Sequence, residues 1–127
     1  MLCMETIALD AAPYAAVLTR AALVLGAGGI AAVPTDTVYG LICDAQNEEA
    51  IRRMAMMKAR PSDKPFSVFA CDIAMARRYA YISDAKARFL EKIWPGPVTA
   101  VFHHKEKLPL ILSGGRDTIG VRIPDHP

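Results

Sequence analysis

The sequence predicts a single α/β domain, and two observations carry that prediction. Segments with apolar residues at helical spacing alternate along the chain with short apolar segments of strand length. The 127 residues amount to one domain, and no repeat or low-complexity linker divides them. A chain of this size buries about two-thirds of its unfolded surface, so it needs no disulfide or structural metal to fold.

The first predicted element is a helix. Asp10 is expected to cap a helix over 11–27, with Pro13 in its first turn. The alanines and leucines of this segment favour helix. Gly28 follows and supplies the left-handed residue with which many helices end.

Several short apolar segments predict strands or their continuation. The first, 30–34, reads as a buried strand that runs into a polar turn. Pro61 and Pro65 bracket a loop that is neither helix nor central strand. The strand-length segments are 30–34, 41–43, 66–71, 98–102 and 118–123.

Three further helices have candidate N-caps. These are Asn47, Asp72 and Ser83, whose side chains can accept a hydrogen bond from the first turn. In the last of these helices an apolar stripe precedes a break at Trp94-Pro-Gly-Pro97. The members of that stripe are Ala87, Leu90, Ile93 and Trp94.

Charge and composition exclude several classes of protein. With 15 Lys and Arg against 13 Asp and Glu, the net charge of +2 is too small to predict nucleic-acid binding by itself. The 53% apolar content excludes a disordered chain, and no apolar run approaches the ~18 residues of a membrane span. Cys3, Cys43 and Cys71 lack a C-x-x-C spacing and predict reduced thiols. With no apparent signal peptide, we expect a cytoplasmic protein without a membrane anchor.

The first candidate for chemistry is the segment Pro34-Thr-Asp-Thr-Val-Tyr-Gly40. Two hydroxyls, a carboxylate and a phenol follow a strand end, which is where polar ligand sites are often built. The alternative is an ordinary turn whose Thr and Asp side chains bond their own backbone.

A second candidate is Lys58-Ala-Arg-Pro-Ser-Asp-Lys-Pro65. A mobile point charge at Lys58 and a planar fork at Arg60 suit a polyanion such as a triphosphate. Equally, cations at a helix C-terminus complement the helix dipole without any ligand. No G-x-x-x-x-G-K-[ST] loop is present.

Other residues give weaker signals. Arg122 lies inside an apolar strand and needs an anionic partner, unless it faces solvent at a sheet edge. His103 and His104 lack a second ligand at metal spacing, so no metal site is predicted. Residues 113–116, Ser-Gly-Gly-Arg, are either a phosphate nest or a flexible turn, and we prefer the turn. No G-x-S-x-G or Cys–His pair offers a covalent nucleophile.

The order of four motifs resembles the YrdC-like family of threonylcarbamoyl-AMP synthases. The motifs are P-T-D-T-V-Y-G-L, K-A-R-P-S-D-K-P-F, W-P-G-P-V-T and G-V-R-I-P-D-H-P, spread over 29–127. The resemblance implies a twisted mixed sheet flanked by helices, with a concave basic cavity. It also implies synthesis of threonylcarbamoyl-adenylate from L-threonine, bicarbonate and ATP, with Mg²⁺ and release of pyrophosphate, for a downstream tRNA-modifying transferase complex.

The same resemblance assigns roles to individual residues. Lys58 and Arg60 match the Lys-x-Arg pair that contacts nucleotide phosphates and the reacting carbamate, and Ser62 lies with them in the nucleotide site. The residues matched to the threonine pocket are Thr35, Thr37, Tyr39 and Arg122.

Two departures from the family qualify the expectation. The family continues to an S-A-N-x-S-G segment that completes the nucleotide site, and this sequence ends first, so we expect weak or no synthase activity and an exposed sheet edge. Phe69 stands where some members carry His. The rival readings are a module that binds double-stranded RNA, tRNA or nucleotide without synthase activity, a YciO-type relative or a larger carbamoyltransferase, and a non-catalytic remnant.

Overall fold

The computed structural model describes residues 4–126, so Cys3 lies outside the described residues. Helices and strands alternate along this range, which confirms the α/β class. The elements are α1 Tyr14–Gly26, β1 Ala31–Val33, β2 Gly40–Ile42, α2 Glu48–Met57, β3 Ser67–Phe69, α3 Ile73–Tyr79, α4 Asp84–Leu90, β4 Ala100–His103, α5 Leu110–Ser113 and β5 Thr118–Arg122.

The strands form two sheets. β1 and β2 pair antiparallel, with Ala32 opposite Leu41. The other three strands form a sheet in the order β3-β5-β4, in which β5 is parallel to β3 and antiparallel to β4. The expected mixed sheet is therefore present, and the β1–β2 hairpin stands as a separate ladder beside it.

The buried core lies on one face of the three-stranded sheet. Every element from α2 onward contributes to it, and its largest fully buried side chains are Ile51, Ile119 and Val121. Alternation along β5 buries Ile119 and Val121 and turns Gly120 and Arg122 to the opposite face. Helix α1 contributes no buried residue. The sheet thus has a packed face and a second face that is available to a site.

The three predicted N-caps are confirmed. Asn47 Oδ1 accepts the N–H of Ala50 at 3.0 Å, and Asp72 Oδ1 accepts that of Met75 at 2.6 Å. Ser83 Oγ accepts the N–H of Lys86 at 3.3 Å. Each bond satisfies a helix donor that has no partner within its own helix.

Replacing Asn47 with alanine is expected to lower the free energy of unfolding by about 1 kcal/mol, because the Ala50 N–H loses its acceptor. Urea unfolding followed by circular dichroism measures this. Asn47→Asp keeps an acceptor and serves as the control, with an expected change within about 0.5 kcal/mol. An equal loss in both variants would contradict the assignment of the cap.

The start of the first helix was predicted wrongly. α1 begins at Tyr14, Pro13 precedes it at the N-cap, and no side chain caps it, so Asp10 plays no such part. A proline disfavours helical backbone in the residue before it, which prevents the helix from extending back through Ala12. The predicted end is confirmed, since Gly28 has φ of 76°.

Three further differences concern burial and boundaries. The strand at 30–34 shortens to β1 and is only partly buried, because within 4–126 it pairs on one side alone. Ile93 and Trp94 follow the end of α4 rather than lying within it, although Trp94 is buried. The short helix α5 was not predicted. Its four residues are too few to show a helical period.

Candidate functional site

The loop between β1 and β2 is held by its own hydroxyl groups. Thr35 Oγ1 donates to the carbonyl of Val38 at 2.7 Å and accepts the N–H of Thr37 at 3.2 Å. The two threonine hydroxyls lie 3.1 Å apart. The turn alternative therefore accounts for part of this segment. It leaves Asp36 unexplained, because that carboxylate bonds outside the loop.

Asp36 and Arg122 form a mostly buried ion pair. Only 10% of the Asp36 side chain and 13% of the Arg122 side chain are exposed, and Arg122 Nη2 donates to Asp36 Oδ1. The same nitrogen lies 3.4 Å from Thr37 Oγ1. The expected anionic partner of Arg122 is thus confirmed. The sheet-edge alternative is wrong, because β5 is the central strand of its sheet.

The second oxygen of Asp36 also has a partner. Asp36 Oδ2 accepts the backbone N–H of Asp125 at 3.0 Å. This hydrogen bond and the Arg122 guanidinium hold the pKa of the Asp36 carboxyl below its usual range, against the opposing effect of burial. One carboxylate, ionised at neutral pH, therefore joins the loop to β5 and to the segment after it.

The lowered pKa of Asp36 predicts a pH-dependent contribution to stability. A carboxyl whose folded-state pKa is depressed stabilises the protein above its unfolded pKa of about 3.9, and that contribution is lost as the pH falls further. Asp36→Asn should therefore lower the urea midpoint at pH 7, and the difference from wild type should shrink as the pH falls below about 4. A difference that stays constant from pH 7 to pH 2 would contradict this linkage.

Arg60 is folded back on its own loop. Its Nη2 donates to the carbonyl of Pro65 at 2.5 Å, and its Nε lies 3.4 Å from the carbonyl oxygen of Lys64. The guanidinium stands 4.7 Å from the centroid of the Phe66 ring, a cation–π contact. Arg60 therefore shapes the loop that carries it, in addition to any ligand it binds.

Lys58, by contrast, is an exposed ammonium. It is the C-cap residue of α2, and within residues 4–126 it makes no ion pair. Burial is the main effect that raises the pKa of the Cys43 thiol, just after β2, and the charge of Asp44 adds to it, whereas the positive charges of Arg53 and Lys58 lower it.

Ser62 lines a cavity of about 540 Å³. Its other lining residues include Arg52, Gly114 and Gly115. The Gly114 and Gly115 N–H groups donate to the Ile111 and Leu110 carbonyls, so 113–116 form the turn that ends α5 rather than an open phosphate nest. A second cavity, of about 820 Å³, lies near Cys71, Trp94 and His126.

The structure thus sorts the predicted site residues into two groups. Thr35, Thr37 and Arg122 are in contact through hydrogen bonds. Lys58, Arg60 and Ser62 belong to the segment after α2, and no ion pair or side-chain hydrogen bond within 4–126 joins them to the first group. Tyr39 is 73% exposed. Whether the two groups enclose one basic cavity stays a prediction.

Within residues 4–126, histidine and acidic side chains do not assemble into a metal site. Among the described residues there is no group of three or more His, Cys, Asp or Glu placed to hold a metal ion. His103 pairs with Asp117 at 3.1 Å, and the His104 ring bonds the Arg116 carbonyl and the Glu106 N–H. No helix in the described part of the chain is long and apolar enough to cross a membrane.

A sequence-family model that covers Sua5, YciO and YrdC, described as "Telomere recombination", matches residues 23–127. The chain belongs to the Sua5/YciO/YrdC family. A relative from Pseudomonas aeruginosa named threonylcarbamoyl-AMP synthase is 39% identical over 110 residues. That match covers 84% of this chain and 58% of the relative.

Two solved structures of the Sua5/YciO/YrdC family show the same fold. The crystal structure of P. abyssi Sua5 complexed with L-threonine is 36% identical with a TM-score of 0.80, covering 84% of this chain and 32% of that one. E. coli YciO is 25% identical with a TM-score of 0.81, covering 91% of this chain and 57% of that one. The chain spans about half the length of the curated relatives it matches.

Proposed function

We propose that this domain makes threonylcarbamoyl-adenylate from L-threonine, bicarbonate and ATP and releases pyrophosphate. The observation that carries the proposal is the pair of threonine hydroxyls held beside the Arg122 guanidinium. Support comes from the matched relatives named threonylcarbamoyl-AMP synthase and from the likeness to a Sua5 bound to L-threonine.

The residues divide the work by charge and shape. The Thr35 and Thr37 hydroxyls and the Arg122 guanidinium can bind an amino acid's hydroxyl and carboxylate, and the exposed Tyr39 lies in the same loop. Lys58 and Arg60 supply positive charge for the phosphates and the carbamate, and Ser62 can donate a hydrogen bond to the nucleotide.

The reaction suits a site without a protein nucleophile. A carbamate oxygen attacks the α-phosphorus, the bond to the β-phosphate oxygen breaks, and pyrophosphate leaves. All the reactants are anions, so the protein must hold them together and neutralise charge rather than form a covalent intermediate. Lys58, Arg60 and Arg122 are the cations that we propose for this role.

Mg²⁺ enters the proposal with the nucleotide. Because the described residues hold no cluster of metal ligands, the phosphates of ATP would supply most of the ion's oxygens. The ion would shield the charge of the leaving pyrophosphate. We further propose that the product passes to a transferase complex that modifies tRNA.

Omission of single substrates tests the proposal. Pyrophosphate release is measured with the purified chain and MgATP, leaving out L-threonine or bicarbonate one at a time. Release that requires both supports the synthase. Release that is unchanged when L-threonine or bicarbonate is omitted would overturn it, provided that circular dichroism shows the protein to be folded.

A second candidate is a nucleotide- or RNA-binding module without synthase activity. The likeness to YciO, which covers 91% of this chain, supports this second candidate. Since the net charge is only +2, RNA affinity would have to come from a local basic surface and fall steeply with salt. Salt-dependent affinity for double-stranded RNA or tRNA, without substrate-dependent pyrophosphate release, would favour this module.

A further inference from the structure

The Asp36 carboxylate occupies a different position from the other acidic side chains in ion pairs. Four other ion pairs are present among residues 4–126, and each of their side chains is at least 37% exposed. In the pair of Asp36 with Arg122, neither side chain is more than 13% exposed. Burying two charges costs free energy unless they are paired and bonded further, so this pair has a specific geometry to maintain.

That geometry spans the chain. Asp36 lies in the β1–β2 loop, and its two partners lie 86 and 89 residues away. Within residues 4–126, the side-chain hydrogen bonds from this loop to β5 and the segment after it are those of Asp36 and Thr37. The hairpin is a separate sheet, so no ladder hydrogen bonds hold the loop against β5. The Asp36 carboxylate is therefore the main polar connection between the β1–β2 loop and β5, and we call this connection the tie.

The tie also orients the Arg122 guanidinium. Its hydrogen bonds within the described range all use Nη2, and its buried Nε has no partner there. The Phe69 ring, whose centroid is 6.0 Å from Cζ, lies beside the planar group. With one edge engaged by Asp36 and a ring alongside, the guanidinium has little freedom to turn.

We propose that Asp36 is a positioning residue of the threonine site. Its carboxylate fixes the loop that carries Thr35 and Thr37 against β5 and holds Arg122 in the orientation that the substrate meets. It acts through these neighbours and needs no contact of its own with substrate. The role toward L-threonine rests on the proposed function. The tie between the loop and β5 rests on the structure alone.

Two measurements on Asp36→Asn test the proposal. The first is amide hydrogen exchange, in which residues 37–42 should exchange at least about tenfold faster while β4 is unchanged. The second is the L-threonine concentration for half-saturation, which should rise at least about tenfold, while that for ATP changes less than about twofold. If Asp36 had only a general structural role, the half-saturation concentrations for L-threonine and for ATP would rise together. Asp117→Asn makes the same change in an exposed ion pair and should alter neither measurement.

The outcomes separate this inference from the proposed function. Unchanged exchange in Asp36→Asn overturns the tie, and faster exchange with unchanged threonine affinity overturns the positioning role. A wild-type chain that binds no L-threonine defeats the proposed function and with it the role toward threonine, while the exchange arm still decides the tie.

Two further variants cover the case in which Asp36→Asn does not fold. Arg122→Lys keeps the charge but lacks the fork that reaches both Asp36 and Thr37, so it should shift both measurements in the same direction. Asp36→Glu keeps the carboxylate and should return both to within about threefold of wild type. Wild-type values in a folded Arg122→Lys protein would overturn the proposal.

Discussion

Replacing Lys58 with alanine is expected to lower pyrophosphate release at least about tenfold, while the free energy of unfolding falls by less than about 1 kcal/mol. Lys58 is exposed and makes no ion pair within 4–126, so its removal should cost the folded protein little free energy of unfolding. A charge-assisted contact to phosphate or carbamate contributes about 1.5–3 kcal/mol, which corresponds to about 10–150-fold. ATP affinity, measured with a fluorescent nucleotide, should fall in the same variant.

Arg60→Ala is expected to lower activity by a similar factor and to lower stability as well. This variant removes the hydrogen bonds to the carbonyls of Lys64 and Pro65 and the contact with Phe66, so about 1 kcal/mol or more of unfolding free energy should be lost. Lys107→Ala, which removes an exposed cation elsewhere, controls for net charge. Wild-type release rates in folded Lys58→Ala and Arg60→Ala proteins would refute these assignments.

Replacing Gly114 with alanine is expected to lower the free energy of unfolding by about 2–5 kcal/mol. Gly114 has φ of 59°, a left-handed conformation that costs other residues about 1–2 kcal/mol. An added Cβ would also lie 2.6 Å from the carbonyl oxygen of Asp63 and 2.9 Å from its carbon. The contact is with the Asp63 backbone and not with a flexible side chain, so it cannot be relieved by a rotamer change. This overpacking adds about 1–3 kcal/mol to the loss.

Gly115→Ala is the matched control for this change. Gly115 also has a positive φ, of 78°, but a Cβ there meets nothing within 4 Å. Only the conformational cost, about 1–2 kcal/mol, should appear in urea unfolding. Because Asp63 lies in the loop that carries Arg60 and Ser62, Gly114→Ala should also weaken ATP binding, whereas Gly115→Ala should not. Equal effects of the two substitutions on stability and on ATP affinity would contradict this interpretation.

The motifs predicted two ligand-binding segments, but they did not single out the carboxylate that pairs with Arg122 in the structure. Arg122 was expected to need an anion, and the P-T-D-T segment was known to carry a carboxylate, yet Asp36 was not named as the partner. Eighty-six residues separate the two, and nothing local in either segment records that they meet. The signal that could have found the pair was the combination of a buried cation with a carboxylate in a predicted ligand loop.

Local chemistry by itself determined where most helices start, because an N-cap needs only a side chain and an N–H three residues later, as at Asn47, Asp72 and Ser83. It also determined the left-handed end of α1 at Gly28. Only the tertiary structure decided that β1 and β2 stand apart as a hairpin, that β5 is central, and that Asp36 ties them together. Those outcomes depend on which distant surfaces pack and which charges lose water together, and no short stretch of sequence contains both partners.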